Sequence, residues 1–126
     1  MVVTRFEDVH SRWTRALQIW LVLLGKAHMR QTMTYTELRD VVGFGTPVGM
    51  GYFLEPILCY CRQHDLPPLS VLVVNQETGM PGMGFAASGD WHKAREDVYR
   101  FNWYGIVPPS PEDFEQATSM REQGQA

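Results

Sequence analysis

The sequence predicts an α+β domain of winged-helix type, and three observations carry that expectation. An apolar stripe of helical period runs near the N-terminus. A capping box opens a short helix, which a glycine–proline turn separates from a second helical stretch. A β-branched apolar run then leads into a glycine-rich turn. Helix, helix–turn–helix and hairpin, in that order, describe a winged helix in which the hairpin is the wing. A chain of 126 residues suggests one domain, 1–126. It is long enough to bury a core without disulfide or metal staples.

Residues 4–29 predict a long first helix. Phe6, Val9, Trp13, Leu17, Trp20, Leu21 and Leu24 recur at spacings of three and four, with Arg5, Glu7, Asp8, Arg12 and Arg15 on much of the other side. In "MTYTELRDVVGFG", Thr34 is an N-cap and Glu37 stands three residues on, which makes a capping box. Tyr35, Leu38, Val41 and Val42 give the short helix an apolar face, and Gly43 suits its C-terminal stop. Pro47 can open the next helix, and Pro56 is expected to kink or interrupt it. Residues 34–64 thus predict the helix–turn–helix. "LSVLVVNQ" reads as a buried strand, and "TGMPGMGFAA" as a turn followed by a second strand, a wing hairpin over 69–87. Trp91, Ala94, Val98 and Phe101 align on a helix over 90–104 that Asp90 can cap. Residues 105–126 read as a proline-rich connector, a short helix capped at Ser110 and a frayed end.

Charge and cysteine usage narrow the function classes. A net charge of -3 and a pI of about 5.7 argue against a dedicated nucleic-acid binder, which carries a basic excess, but leave a local basic patch open. Cys59 and Cys61 lack the C-x-x-C spacing of zinc or redox pairs and read as reduced, partly buried thiols of a cytoplasmic protein. "MVVTRFEDVHSRW" has no apolar signal-peptide core. "ALQIWLVLLG" is too short to span a bilayer, so no membrane partner is expected. The histidines are scattered without i, i+4 pairing, which argues against a metal site. No serine sits in a nucleophile elbow. The stretch "TGMPGMGF" lacks the lysine of a phosphate-binding loop and reverses the glycine order of a dinucleotide fingerprint. A wing turn with glycines at positive φ is the expectation instead. No cofactor, small-molecule substrate or catalytic residue is expected, and the chain is not read as an enzyme.

"TYTEL" (Thr34 to Leu38), "TPVG" (Thr46 to Gly49), "EP" (Glu55, Pro56) and "LSVLVVN" (Leu69 to Asn75) together carry a family likeness. They resemble the DNA-binding domain of O6-alkylguanine-DNA alkyltransferases and of the non-catalytic alkyltransferase-like proteins, over about residues 34–86. That family shows "TYGELA", "RAVG", "NP" and "PCHRVV" in the same order. The resemblance implies a winged helix in which Tyr35 presses on a DNA phosphate. It also implies an emptied active site, because the "PCHR" motif is lacking. The alkyl-accepting cysteine falls on Ser70, the activating histidine on Val71 and the next arginine on Leu72. A nucleophile of this kind needs a base or cation beside it, and Leu69 and Val71 supply neither. The arginine that fills a flipped base's vacancy falls on Thr46.

Two surfaces can carry function. The helix within Val48 to His64 offers Tyr52, Glu55, Tyr60, Arg62 and Gln63 among many apolar residues. A DNA reader needs more basic and amide side chains, whereas a helix apolar nearly all round is buried or covered by a partner. "HKAREDVYRFNWY" interleaves Lys93, Arg95 and Arg100 with aromatic rings, which suits stacking on bases or anchoring a protein interface. The first expectation is a non-catalytic protein-interaction module. It would be a small inhibitor or adaptor acting on a nucleic-acid-processing or defence complex, of the kind phages encode. The alternative is a non-enzymatic DNA-binding protein of alkyltransferase-like type. In either case the expected contacts are Thr34, Tyr35, Thr46, Tyr52, Arg62, Lys93, Arg95 and Arg100.

Overall fold

The structure, a computed structural model, describes residues 2–82 and 90–124. It is α+β and mostly helical, with one two-stranded parallel sheet. The helices are α1 (Arg12–His28), α2 (Tyr35–Val42), α3 (Gly51–Gln63), α4 (Trp91–Arg100) and α5 (Pro111–Gly124). The strands are β1 (Met33–Thr34) and β2 (Val73–Val74). No helix among the described residues is long and apolar enough to cross a membrane.

The first helix starts later than its apolar stripe suggests. Phe6–Asp8 form a separate 3-10 turn, and α1 begins after Ser11, whose hydroxyl accepts from the Thr14 amide at 3.0 Å. Serine offers the backbone this local alternative, so the helix starts at its cap rather than at the first apolar residue. The buried stripe is also rotated. Ala16, Ile19, Trp20, Leu23, Leu24 and Ala27 face the core, while Leu21 is exposed. Arg15, expected on the polar side, is buried, with its guanidinium 4.2 Å over the Phe44 ring.

Helix α2 has the expected bounds. Thr34 Oγ1 accepts from the Glu37 amide at 3.0 Å, Glu37 Oε1 accepts from the Thr34 amide at 2.8 Å, and Gly43 ends the helix at φ 78°. Helix α3 runs through Pro56 without interruption. Proline removes the amide that would bond to the Tyr52 carbonyl one turn back. Arg12 Nε donates to that carbonyl instead, at 2.7 Å. The helix therefore continues with its orphaned acceptor satisfied from α1.

The wing reading needs correction. "LSVL" is a 3-10 turn, Leu69–Leu72, and not part of a strand. All four residues are buried, as are Val73 and Val74 of the strand that follows, and the turn packs against α1, α3 and α4. Strand β2 then pairs in parallel with β1, Met33 opposite Val73 and Thr34 opposite Val74. Helices α2 and α3 supply the long crossover that a parallel pair requires. An isolated antiparallel bridge joins Val74 to Pro81 beyond a turn closed by the Asn75 amide and Met80 carbonyl at 2.8 Å. Proline has no amide with which to extend that bridge. The second wing strand expected in "GFAA" falls mostly on residues 83–89, which lie outside the described residues.

The C-terminal third is also reorganised. Helix α4 is capped by Asp90 as expected but ends at Arg100 rather than at 104. Phe101 is extended, and Trp103 in the following 3-10 turn donates Nε1 to the Val98 carbonyl at 2.8 Å, using one of the free acceptors at the helix end. Helix α5 is no short tail. Ser110 and Asp113 form a reciprocal cap, and Phe114, Ala117 and Thr118 are buried. It packs chiefly on α3, with α1 against both. Trp20 meets Tyr60, Trp103 and Phe114 at ring distances of 5.9, 5.6 and 5.9 Å, and this aromatic cluster ties the bundle together.

Candidate functional site

The two ends of α3 carry different clefts. At its N-terminal end, a cleft of about 1010 Å³ lies between the start of α2, the start of α3 and the turn 75–82. Its apolar wall is Tyr35, Pro47, Val48, Met80 and Pro81. Thr34, Thr36, Asn75, Gln76 and Thr78 add neutral polar groups, and Glu77 is the single charged residue among the described residues lining it. Val48 is 97% exposed and Tyr52 59%, so the rim presents apolar surface to solvent.

Local structure fixes these walls. The Asn75 carboxamide accepts from the Glu77 and Thr78 amides at 2.8 and 3.2 Å, and Gly79 at φ 70° completes the turn. Gly82 passes against the Tyr35 hydroxyl so closely that a side chain there would collide with it. Burial pushes the Tyr35 phenol above its ordinary value, so it stays neutral and can donate a hydrogen bond. Thr46 Oγ1 accepts from the Gly49 amide at 3.0 Å and so sets the turn that projects Val48.

The expected contacts therefore separate. Thr34 and Tyr35 line the N-terminal cleft, with Thr46 and Tyr52 in the segments that flank it. The hydroxyls of Thr34 and Thr46 are committed to caps, and Tyr52 carries the Arg12 guanidinium 3.8 Å over its ring. Arg62 and Arg100 come together instead at the other end of α3, in a cleft of about 680 Å³ that also holds Asp65 and Asp97. The basic residues of α4 are largely engaged. Lys93 bonds Asp97 at 2.8 Å, a contact that raises its pKa, and Arg95 lies 5.2 Å over Trp91. Arg100 and Arg30 share Glu96, and the hydrogen bond from Arg30 lowers that carboxyl's pKa. Val48, Gln76, Glu77, Met80 and Pro81 escaped the sequence reading. The turn in "NQETG" was legible, but its closure against Tyr35 depends on the parallel pairing of β1 with β2.

Ser70, where the family resemblance puts the alkyl acceptor, is buried, and its Oγ has no hydrogen-bond partner among the described residues. Cys61 is buried in the α3 core, and loss of hydration pushes its thiol up to about 12. Burial raises Cys59 as well. Among the described residues no group of three or more His, Cys, Asp and Glu side chains is placed to hold a metal ion. No protein-family model, no curated protein and no solved structure matches this chain.

Proposed function

We propose that the chain is a non-catalytic protein-interaction module of winged-helix-like arrangement that docks a protein partner at the N-terminal end of α3. On this reading α2 and α3 form the helix–turn–helix, the turn after β2 is the root of a wing, and the cleft between them is the docking surface. A small adaptor or inhibitor of a nucleic-acid-processing or defence complex fits this description. The observation that carries the proposal is the cleft itself. Its rim exposes Val48 almost fully, and no cation lines it among the described residues. Exposed apolar surface framed by neutral polar groups suits a protein contact, whereas phosphate binding needs lysine or arginine.

The alternative, a DNA-binding protein, draws on Arg62 and Arg100, which share the other cleft. One pair of measurements separates the two. Proteins retained by the immobilised chain from a lysate of its source cells are compared with those retained by Val48→Asp. Anisotropy of a labelled DNA duplex is followed at low and high salt. A partner lost on Val48→Asp, with no duplex binding, is the expected result. Duplex binding that falls steeply with salt and is abolished by Arg62→Ala would replace this reading with the alternative.

A further inference from the structure

We infer that the N-terminal cleft takes a short peptide segment of its partner that carries an aliphatic side chain beside a lysine or arginine. This rests on the docking reading above and adds the chemistry of the occupant. The apolar wall of Tyr35, Pro47, Val48 and Met80 offers an aliphatic side chain burial that water does not. The charge of the cleft is one-sided. Among the described residues Glu77 is the only charged one lining the cleft, and no lysine or arginine pairs with it. The segment 83–89 that follows the cleft's last lining residue is "MGFAASG", which contains no charged residue to reverse that balance. A carboxylate left beside exposed apolar surface favours a cation there and disfavours an acidic segment or a phosphate.

Neutral hydrogen-bonding groups complete the fit. Asn75 Oδ1 and Thr78 Oγ1 are used within the turn, whereas the Thr36 hydroxyl and the Gln76 amide make no hydrogen bond among the described residues. Those two can meet a peptide's main-chain groups, which have one donor and one acceptor per residue.

The test is a phage-displayed random peptide library panned on the full chain, with Glu77→Lys and Val48→Asp as comparison targets. Both side chains stand on the surface, so each variant keeps the fold; coincident thermal unfolding of the three proteins checks this. Enriched peptides should carry lysine or arginine near an aliphatic residue. A synthetic copy should bind about tenfold more weakly to Glu77→Lys. It should lose binding to Val48→Asp and shift amide resonances in 34–36, 47–51 and 75–82 of the labelled chain. Peptides lost on Val48→Asp but without a basic residue, or indifferent to Glu77→Lys, overturn the occupant and leave the docking reading standing. No enrichment, or enrichment indifferent to Val48→Asp, overturns both. Equal binding by spermidine at the same amides would show a bare cation site and overturn the peptide.

Discussion

The first turn of α3 and its middle have different relations to solvent. Toward its C-terminus Ile57, Cys59 and Cys61 are buried, and α1 and α5 close over them. Toward its N-terminus Gly51 and Tyr52 are exposed, and the preceding Val48 stands clear of everything. One helix therefore serves both as a core element and as the edge of an open cleft. A helix apolar on nearly every side is buried or partnered, and here the first two residues of α3, Gly51 and Tyr52, stay exposed while Leu54 and Pro56 turn inward. The exposed start is the part beside β1, β2 and the turn 75–82. The contrast teaches that stability and recognition are spatially separable in this chain, and substitutions can be chosen to strike one without the other.

The sharpest separation comes from Phe114→Ala against Val48→Asp. Phe114 is fully buried against Trp20 and Tyr60. Truncating it should cost about 3–5 kcal/mol, through lost burial and the cavity left behind. Val48→Asp places a carboxylate in water and should leave stability within about 0.5 kcal/mol. Urea unfolding followed by tryptophan fluorescence measures both. If Val48→Asp unfolds as easily as Phe114→Ala, the start of α3 is part of the core and the docking surface is misplaced.

How much of this was legible in the sequence follows from the range of the interactions that decide each element. Helix α2 was readable in full because Thr34, Glu37 and Gly43 set its ends locally. The capped starts at Asp90 and Ser110 were readable for the same reason. Long-range interactions overrode local signals elsewhere. Pro56 is a strong local breaker, but α3 runs through it, and Arg12, 40 residues from Tyr52, donates to the carbonyl that Pro56 leaves without an amide. Leu69–Leu72 look strand-like by composition, but they form a 3-10 turn packed against α1, α3 and α4, contacts that lie far apart in sequence. The site was legible only in its α2 part. Tyr35 was found through the family resemblance, while Val48 and Glu77 gave no signal, since exposure depends on what packs nearby.

The C-terminal half should also show itself through pH. Burial holds the Cys61 thiol neutral up to about 12, against an ordinary value of 9.0. Between those values the unfolded chain releases a proton that the folded chain keeps, so the unfolded state binds fewer protons and stability falls as pH rises. The slope from this one group is at most about 1.4 kcal/mol per pH unit. Cys59 and Tyr60 are raised too, so the wild-type slope includes them. Denaturant unfolding of wild type and Cys61→Ala from about pH 8.5 to 10.5 isolates the thiol, because the variant should show the shallower slope. Parallel curves would mean that Cys61 meets water and that the C-terminal half is less closed than its burial indicates. Native Cys61 should likewise resist alkylation until the chain unfolds.

The smallest effect tests the join between the halves. Arg12 donates to the carbonyl that Pro56 orphans, bonds Glu55 at 3.0 Å and covers the Tyr52 ring. Its side chain is 14% exposed, so little water replaces it. Arg12→Ala should cost about 2 kcal/mol, shared between its bonds to Tyr52 and Glu55 and its packing on the Tyr52 ring. Arg12→Lys should restore only part, because an ammonium lacks the planar fork that serves a carbonyl and a carboxylate while stacking on a ring. Arg121 bonds the same Glu55 but is 55% exposed, and Arg121→Ala should cost less than about 1 kcal/mol. Pro56→Ala gives the decisive comparison, since alanine returns an amide to the Tyr52 carbonyl. In that background Arg12→Ala should cost about 1 kcal/mol less, a coupling that a double-mutant cycle reads directly. Additive losses would show that Arg12 acts through Glu55 alone, and that the N-terminal half of α3 holds its helical form without help from α1.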